Sequence, residues 1–106
     1  MKNQVIPVYN FPNNSYNISI EIGEKNRMLN LFYSYNIPAG YWTLSIRDTN
    51  LETIVGSLPL LSGHNLLEGL DYLELGELYL FRNSELASEI PNNENISTKY
   101  ILVWRA

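Results

Sequence analysis

The residue types that could perform chemistry are few in this sequence and lie far apart. Its single histidine is His64, which stands between Gly63 and Asn65 in a stretch typical of a turn. Acid–base catalysis needs titratable groups whose pKa values are set against each other, and no serine or aspartate forms a known nucleophile motif with this histidine. The absence of cysteine excludes disulfides, thiolate zinc sites and cysteine nucleophiles. We therefore expect a solvated His64 and a protein that is not an enzyme.

Four carboxylates, those of Glu68, Asp71, Glu74 and Glu77, lie close together in the sequence and could suggest a cation site. A calcium loop needs regularly spaced oxygen ligands and a glycine at its sharp bend, and this stretch has neither. No glycine-rich loop of the phosphate-binding kind occurs either. The sequence thus predicts no catalytic, cofactor-binding or metal-binding residue, and the carboxylates are interpreted as solubilising groups among leucines.

Aromatic side chains are the other candidates, because eight tyrosines and two tryptophans could stack on sugar rings. Most of them occupy alternating positions of predicted strands, where packing within a sheet is the expected role. A carbohydrate-binding β-module would require Tyr41, Tyr79 or Trp104 to be exposed. Such a module for host-surface recognition remains the alternative function.

Charge excludes two classes of partner. The net charge is -4, and the seven lysines and arginines form no run or stripe that could neutralise a phosphate backbone or an anionic membrane. No stretch of about 18 apolar residues predicts a membrane span. The first seven residues lack the apolar run of a signal peptide. We expect synthesis in the cytoplasm and neither nucleic acid nor membrane as partner.

Alternation of apolar and polar residues predicts the secondary structure of the first half. Residues 16–22 and 28–35 read as two strands joined by a hairpin turn at 24–26, and Met28 and Phe32 suggest that the second strand is covered on both faces. Residues 41–47 and 52–55 read as two more strands. Three consecutive hairpins predict an antiparallel meander.

The second half is less regular. Residues 56–76 are rich in leucine and punctuated by glycine, and 65–70 could form one helical turn. This segment either covers an open sheet edge, the interpretation we favour, or contacts a partner. Residues 77–82 predict a strand apolar on both faces, and 83–98 a long polar loop. Residues 99–106 predict a closing strand buried on both faces, either at the centre of a sheet or under a partner.

Together these elements predict one all-β domain that spans residues 1–106. Its length suits a single core. The expected fold is a small antiparallel sandwich or partly open barrel with a leucine-rich covering segment and at most one short helical turn.

Over nearly its whole length the chain resembles the small baseplate-plug proteins of contractile-tailed bacteriophages. The features that carry the resemblance, with their order and spacing, are Ile6-Pro7, Pro12-Asn13, the strands 16–22 and 29–33, the block 40–48, the leucine-rich run 56–67, and Tyr72-Leu73-Glu74-Leu75-Gly76. Residues 83–88 depart from the family's pattern, where aspartate, threonine and glycine are expected.

The resemblance implies a structural role at the tail tip, in a phage virion or an extracellular phage-derived contractile bacteriocin. Implied partners are the hub, the tail tube or tube initiator and the wedge proteins, together with further copies of the chain in a ring, which would hold the baseplate before contraction. Exposed strand edges would make these contacts by strand addition. The residues predicted to bind partners are Leu58, Pro59, Leu60, Leu61, Leu66, Leu67, Tyr72, Leu73, Tyr100, Leu102 and Trp104.

Overall fold

The computed structural model describes residues 3–11, 13–82, 91, 96 and 99–106. Among these residues it contains seven strands and one short 3-10 turn, Asp71–Leu73. The strands are β1 (Asn3–Ile6), β2 (Asn14–Ile22), β3 (Lys25–Asn36), β4 (Tyr41–Arg47), β5 (Thr53–Pro59), β6 (Glu77–Arg82) and β7 (Tyr100–Arg105). The predicted all-β class, with at most one helical turn, is confirmed for this part of the chain.

The strands form two open antiparallel sheets. One has three strands in the order β1-β7-β6, and the other has four in the order β2-β3-β4-β5. The four-stranded sheet is the predicted meander, because each strand pairs with its neighbour in sequence. The three-stranded sheet joins the two ends of the described chain, since Asn3 pairs with Arg105 and Ile6 with Leu102.

Alternation determines which side chains of the meander face the core. Trp42, Leu44 and Ile46 of β4 are fully buried, and their polar neighbours face outwards. In β3 the buried face carries Leu29, Leu31 and Tyr33. The prediction that β3 is covered on both faces is wrong, because Met28 on the opposite face is half exposed.

Short turns connect the strands of the meander, and a side chain stabilises one of them. The β2–β3 hairpin turns at Gly23 and Glu24, slightly earlier than predicted, so that Ile22 pairs with Lys25. At the β4–β5 connection, Asp48 Oδ1 accepts hydrogen bonds from the backbone N–H groups of Asn50 and Glu52 at 2.8 and 3.0 Å. A short polar side chain that binds its own backbone is a common way to fix such a turn.

The leucine-rich segment covers the free edge of β6, as the favoured interpretation predicted, but only from residue 60 onwards. Residues 56–59 instead extend β5 beyond the strand predicted at 52–55. Ser62 forms a parallel bridge with Leu80, and the Leu66 N–H donates to the Leu78 carbonyl at 2.7 Å. Asn65 completes the edge, because its Oδ1 accepts from the Leu78 N–H at 3.0 Å. Buried backbone groups need such partners, so this segment substitutes for a fourth strand.

One cluster of buried side chains fills the space between the sheets. The four-stranded sheet contributes Trp42 and Tyr33, and the three-stranded sheet contributes Trp104, whose indole Nε1 donates to the Leu75 carbonyl at 2.6 Å. Pro91 and Ile96 are also buried, whereas most of the predicted loop 83–98 lies outside the described residues.

Candidate functional site

Groups for catalysis or metal binding do not converge in the described structure. No cluster of three or more His, Asp or Glu side chains suited to a metal ion occurs among the described residues. His64 is exposed on a bend, and Asp71 and Glu74 are exposed around the 3-10 turn. In the same described portion, no helix is long and apolar enough to cross a membrane. The candidate functional sites are exposed surfaces of the two sheets.

The strongest such surface is the outer side of the three-stranded sheet. Cross-strand pairing places Val5 beside Val103 and Val103 beside Tyr79, while Ile101 pairs with Phe81. Val5 is 67% exposed, Phe81 51% and Ile101 40%. These five side chains form a continuous patch, which we call the outer apolar face. Contiguous exposed apolar surface on a small domain marks a contact site.

This face corrects the sequence prediction for the closing strand. β7 is the central strand of its sheet, as expected, and Tyr100, Leu102 and Trp104 are buried. None of the described residues covers its other face, because the described leucine-rich segment bridges the edge of β6 at Ser62 and Leu80. The apolar residues on that second face have no covering layer among the described residues.

Two shallow hollows adjoin the outer apolar face. The first, here the β1 hollow, has a volume of about 300 Å³ and is lined by Val5, Ile6, Pro7, Val8, Tyr100, Ile101 and Leu102. The second, the β6 hollow, has about 260 Å³ and is lined by Ser62, Gly63, Leu80, Phe81 and Arg82. A flat sheet face with adjoining hollows can receive protruding side chains from another protein.

A pair of tyrosines holds the wall of the β1 hollow in place. The Tyr16 hydroxyl donates to the Pro7 carbonyl and lies 3.0 Å from the Tyr33 hydroxyl. The rings of Tyr16 and Tyr33 stack with centroids 5.8 Å apart. Burial raises the pKa of Tyr33 well above its ordinary value of 10.0, and the neighbouring Tyr16 raises that pKa further.

The buried Tyr33 predicts a loss of stability in alkali. Because its folded pKa is raised, the neutral phenol favours the folded state fully below about pH 10, and this contribution is lost as the pH rises through the folded pKa. We expect Tyr33→Phe to make the fall in the free energy of unfolding above about pH 10 shallower, as measured by urea unfolding. Tyr72→Phe, at an exposed position, is the control; parallel curves for both variants would contradict the prediction.

The outer side of the four-stranded sheet has a different chemistry. Asn30 donates from Nδ2 to Asn17 Oδ1 at 2.9 Å and accepts from Arg47 Nε at 2.9 Å. The Arg47 guanidinium lies 4.8 Å from the centre of the Phe32 ring. The polar side chains on this face hydrogen-bond to one another. It therefore offers a partner less exposed apolar surface than the outer apolar face does.

The edges of the four-stranded sheet, those of β2 and β5, are poorly suited to the predicted strand addition. The Gln4 amide occupies the β2 edge, because its Nε2 donates to the Ser19 carbonyl at 2.9 Å and its Oε1 accepts from the Glu21 N–H at 3.4 Å. The β5 edge carries a register shift, Ser57 with φ +52°, and Pro59. Bulges and prolines block edge pairing, so a sheet face is the better contact surface.

The structure divides the eleven predicted contact residues into two groups. Six pack in the core of this chain and are not accessible to a partner, because their side chains fill the space between the sheets: Leu60, Leu66, Leu67, Tyr100, Leu102 and Trp104. The remaining five are partly or fully accessible: Leu58, Pro59, Leu61, Tyr72 and Leu73. The prediction missed the outer apolar face, although the apolar residues on both sides of β6 and β7 were the signal for it.

The carbohydrate-binding alternative loses support in the same geometry. Trp104 is buried, and Tyr41 and Tyr79 are partly buried. The Tyr79 ring stacks on Phe81, with centroids 5.8 Å apart and an angle of 21° between the rings. Its hydroxyl donates to Glu77 Oε2 at 3.0 Å, and this bond raises the pKa of Tyr79. These contacts make Tyr79 part of an apolar patch rather than a free sugar platform.

Comparison with known proteins supports a structural role for this chain. No curated protein matches the chain. A family model described as "Cyanophage baseplate Pam3 plug gp18" matches residues 3–106, which is nearly the whole chain. The chain therefore belongs to the cyanophage baseplate plug family, a family of structural components of a phage baseplate.

Proposed function

We propose that this chain is a non-catalytic plug that joins neighbouring proteins at the tip of a contractile tail and stabilises the baseplate before contraction. Its proposed partners are the hub, the tail tube or tube initiator and the wedge proteins, together with further copies of itself. Family membership supports the place in the baseplate. The observation that carries the binding role is the outer apolar face, because Val5, Phe81 and Ile101 are exposed in the described chain. Tyr79 and Val103 are partly buried between them.

The size of this face fits the centre of a larger contact. Three strands about 4.8 Å apart and roughly five residues long present a flat area of about 14 by 17 Å. A standard interface buries about 800 Å² on each partner. We assign the other proposed partners to a second accessible region, formed by Leu58, Pro59 and Leu61 at the β5 end of the meander.

Removal of the gene from the phage tests this function. We expect tails without the chain to assemble poorly or to contract prematurely, as seen by electron microscopy of purified particles, and the wild-type gene supplied in trans to restore them. Mass spectrometry of the restored tails should detect the chain. Stable, infectious particles that lack the chain would overturn the proposal.

Surface variants locate the contact. The double variant Val5→Asp, Phe81→Asp places two like charges on the outer apolar face at positions that are not cross-strand partners. We expect its incorporation into tails to fall by more than about tenfold, because unpaired charge is costly to bury. Ser15→Asp, Ser19→Asp, at two exposed positions on the outer side of β2, is the matched control. Equal incorporation of both variants would show that the face is not a contact surface.

A further inference from the structure

We propose that the outer apolar face receives a second copy of this chain, which inserts its Tyr72 into the β1 hollow. This inference rests on the proposed function and specifies one of its partners. It makes the contact heterologous, so that two different surfaces of the same chain meet.

Tyr72 is the inserting group because it protrudes from a fixed short turn. It lies in the 3-10 turn Asp71–Leu73, which buries none of its residues, and its side chain is 76% exposed. Backbone hydrogen bonds from the Leu73 and Glu74 N–H groups, each 3.0 Å long, hold the turn. A large aromatic side chain on an ordered turn loses little entropy on binding, which suits an anchor residue.

The β1 hollow has the size and lining to receive a tyrosine ring. Its volume is about 300 Å³, and Val5, Pro7, Val8 and Ile101 give it apolar walls. The hollow adjoins the outer apolar face, so residues beside the inserted ring would also contact apolar surface. A tyrosine anchor would bury its ring there and leave its hydroxyl near the rim.

Charge favours a second copy as the occupant. Tyr72 is flanked by the exposed carboxylates of Asp71 and Glu74, although Glu74 also lines a hollow with Lys25 and Arg27 of its own chain. The receiving end carries the opposite sign: Lys99 precedes β7 and is exposed, and Arg82 lines the β6 hollow. No described Asp or Glu lines either hollow. Opposite charges around an apolar contact set its orientation.

The two surfaces lie at opposite ends of the three-stranded sheet. The segment that follows Tyr72 meets the end of β7, because a Cβ on Gly76 would lie 2.5 Å from the Arg105 carbonyl oxygen. The β1 hollow adjoins Tyr100, at the start of β7. At about 3.3 Å per residue, these strand ends are roughly 17 Å apart. A contact between opposite ends of identical chains repeats and generates a ring when the rotation closes.

Such a contact is small and is expected to be weak between isolated chains. One aromatic anchor with its surroundings buries less than the roughly 1,000 Å² of a stable interface. Closure of a ring and the other baseplate contacts would raise the effective concentration of the two surfaces. The test therefore uses the chain within assembled tails.

Thiol cross-linking tests the contact directly, because the natural chain has no cysteine. Tails are assembled with the double variant Tyr72→Cys, Val5→Cys and treated with a short bis-maleimide reagent. We expect a ladder of covalent multimers on a denaturing gel. A cross-link within one chain leaves a monomer on the denaturing gel, so every multimer in the ladder reports a link between two copies. The matched control is Leu51→Cys, Val5→Cys, whose first position is also exposed and apolar.

Charge reversal provides an independent readout. We expect Asp71→Lys or Lys99→Glu, each added to the double-cysteine chain, to lower the yield of multimers by about threefold. The two reversals together should restore the yield. A merely structural role of either residue would not give this mutual rescue.

The outcomes separate this inference from the proposed function, because mass spectrometry measures incorporation in the same particles. A ladder specific to the Tyr72 and Val5 pair supports the contact. Incorporated chains without a ladder, or with a ladder equal to that of the control, overturn the contact and leave the baseplate role standing. If the double variant does not enter tails, Asp71→Cys, Ile101→Cys replaces it, with the same two readings. Absence of the wild-type chain from tails would overturn both proposals.

Discussion

Replacement of Trp104 by alanine is expected to lower the free energy of unfolding by about 4 kcal/mol, the cost of removing a fully buried tryptophan. The side chain is 1% exposed, and its indole Nε1 donates to the Leu75 carbonyl at 2.6 Å. The substitution thus removes both a large packing volume and the partner of a buried carbonyl. Since domains of this size are stable by about 5–15 kcal/mol, the variant should lose between about a quarter and most of its stability.

Chemical denaturation followed by circular dichroism measures this effect, and Tyr72→Ala is the control. Tyr72 is also aromatic but largely exposed, so we expect its replacement to change the free energy of unfolding by no more than about 0.5 kcal/mol. Trp104→Phe keeps most of the packing and loses the hydrogen bond, so its loss should fall between the two. If Trp104→Ala cost no more than Tyr72→Ala, Trp104 would not be part of the core.

Gly76→Ala is expected to be the second most damaging change, at about 3 kcal/mol. Gly76 has φ +87°, which costs an L-residue roughly 1–2 kcal/mol. An added Cβ would also lie 2.5 Å from the Arg105 carbonyl oxygen and 2.8 Å from the Ala106 Cβ. Because backbone must move to relieve this overlap, we expect a further cost of about 1–2 kcal/mol.

Gly63→Ala separates the two causes. Gly63 has φ +96°, but a Cβ there would meet no atom within 4 Å. Its loss should therefore be only the conformational cost of about 1–2 kcal/mol, and the difference between the two variants reports the close approach of Gly76 to the end of β7. Equal unfolding curves for both variants would show that the Arg105 end of β7 can shift without cost.

The meander was predictable because its information is local. Trp42, Leu44 and Ile46 alternate with polar residues, and turn residues such as Gly40 and Asp48 stand between the strands. Each pairing then follows from the hairpin before it, and the structure confirms β2-β3-β4-β5 as consecutive neighbours. The covering role of the leucine-rich segment was also foreseen, since a run so apolar cannot remain a free loop.

The candidate interface was predicted only in part, because its face could not be assigned. Tyr72 was identified as a contact residue, and its side chain is 76% exposed. Trp104 was assigned to a partner and lies in the core, whereas Ile101 and Phe81 were overlooked and are exposed. When a strand is apolar on both sides, its own pattern contains no signal that separates inside from outside.

By itself, the sequence determined the all-β class, the meander and, through the missing chemical groups, the expectation of a binding protein. Only the tertiary structure decided that β7 lies between β1 and β6, that Trp104 faces the core, and that Val5 and Ile101 share an open face. The physical reason is that β1 and β7 come from opposite ends of the chain. Their register depends on how all the side chains between the two sheets pack together, and no local sequence pattern contains that information.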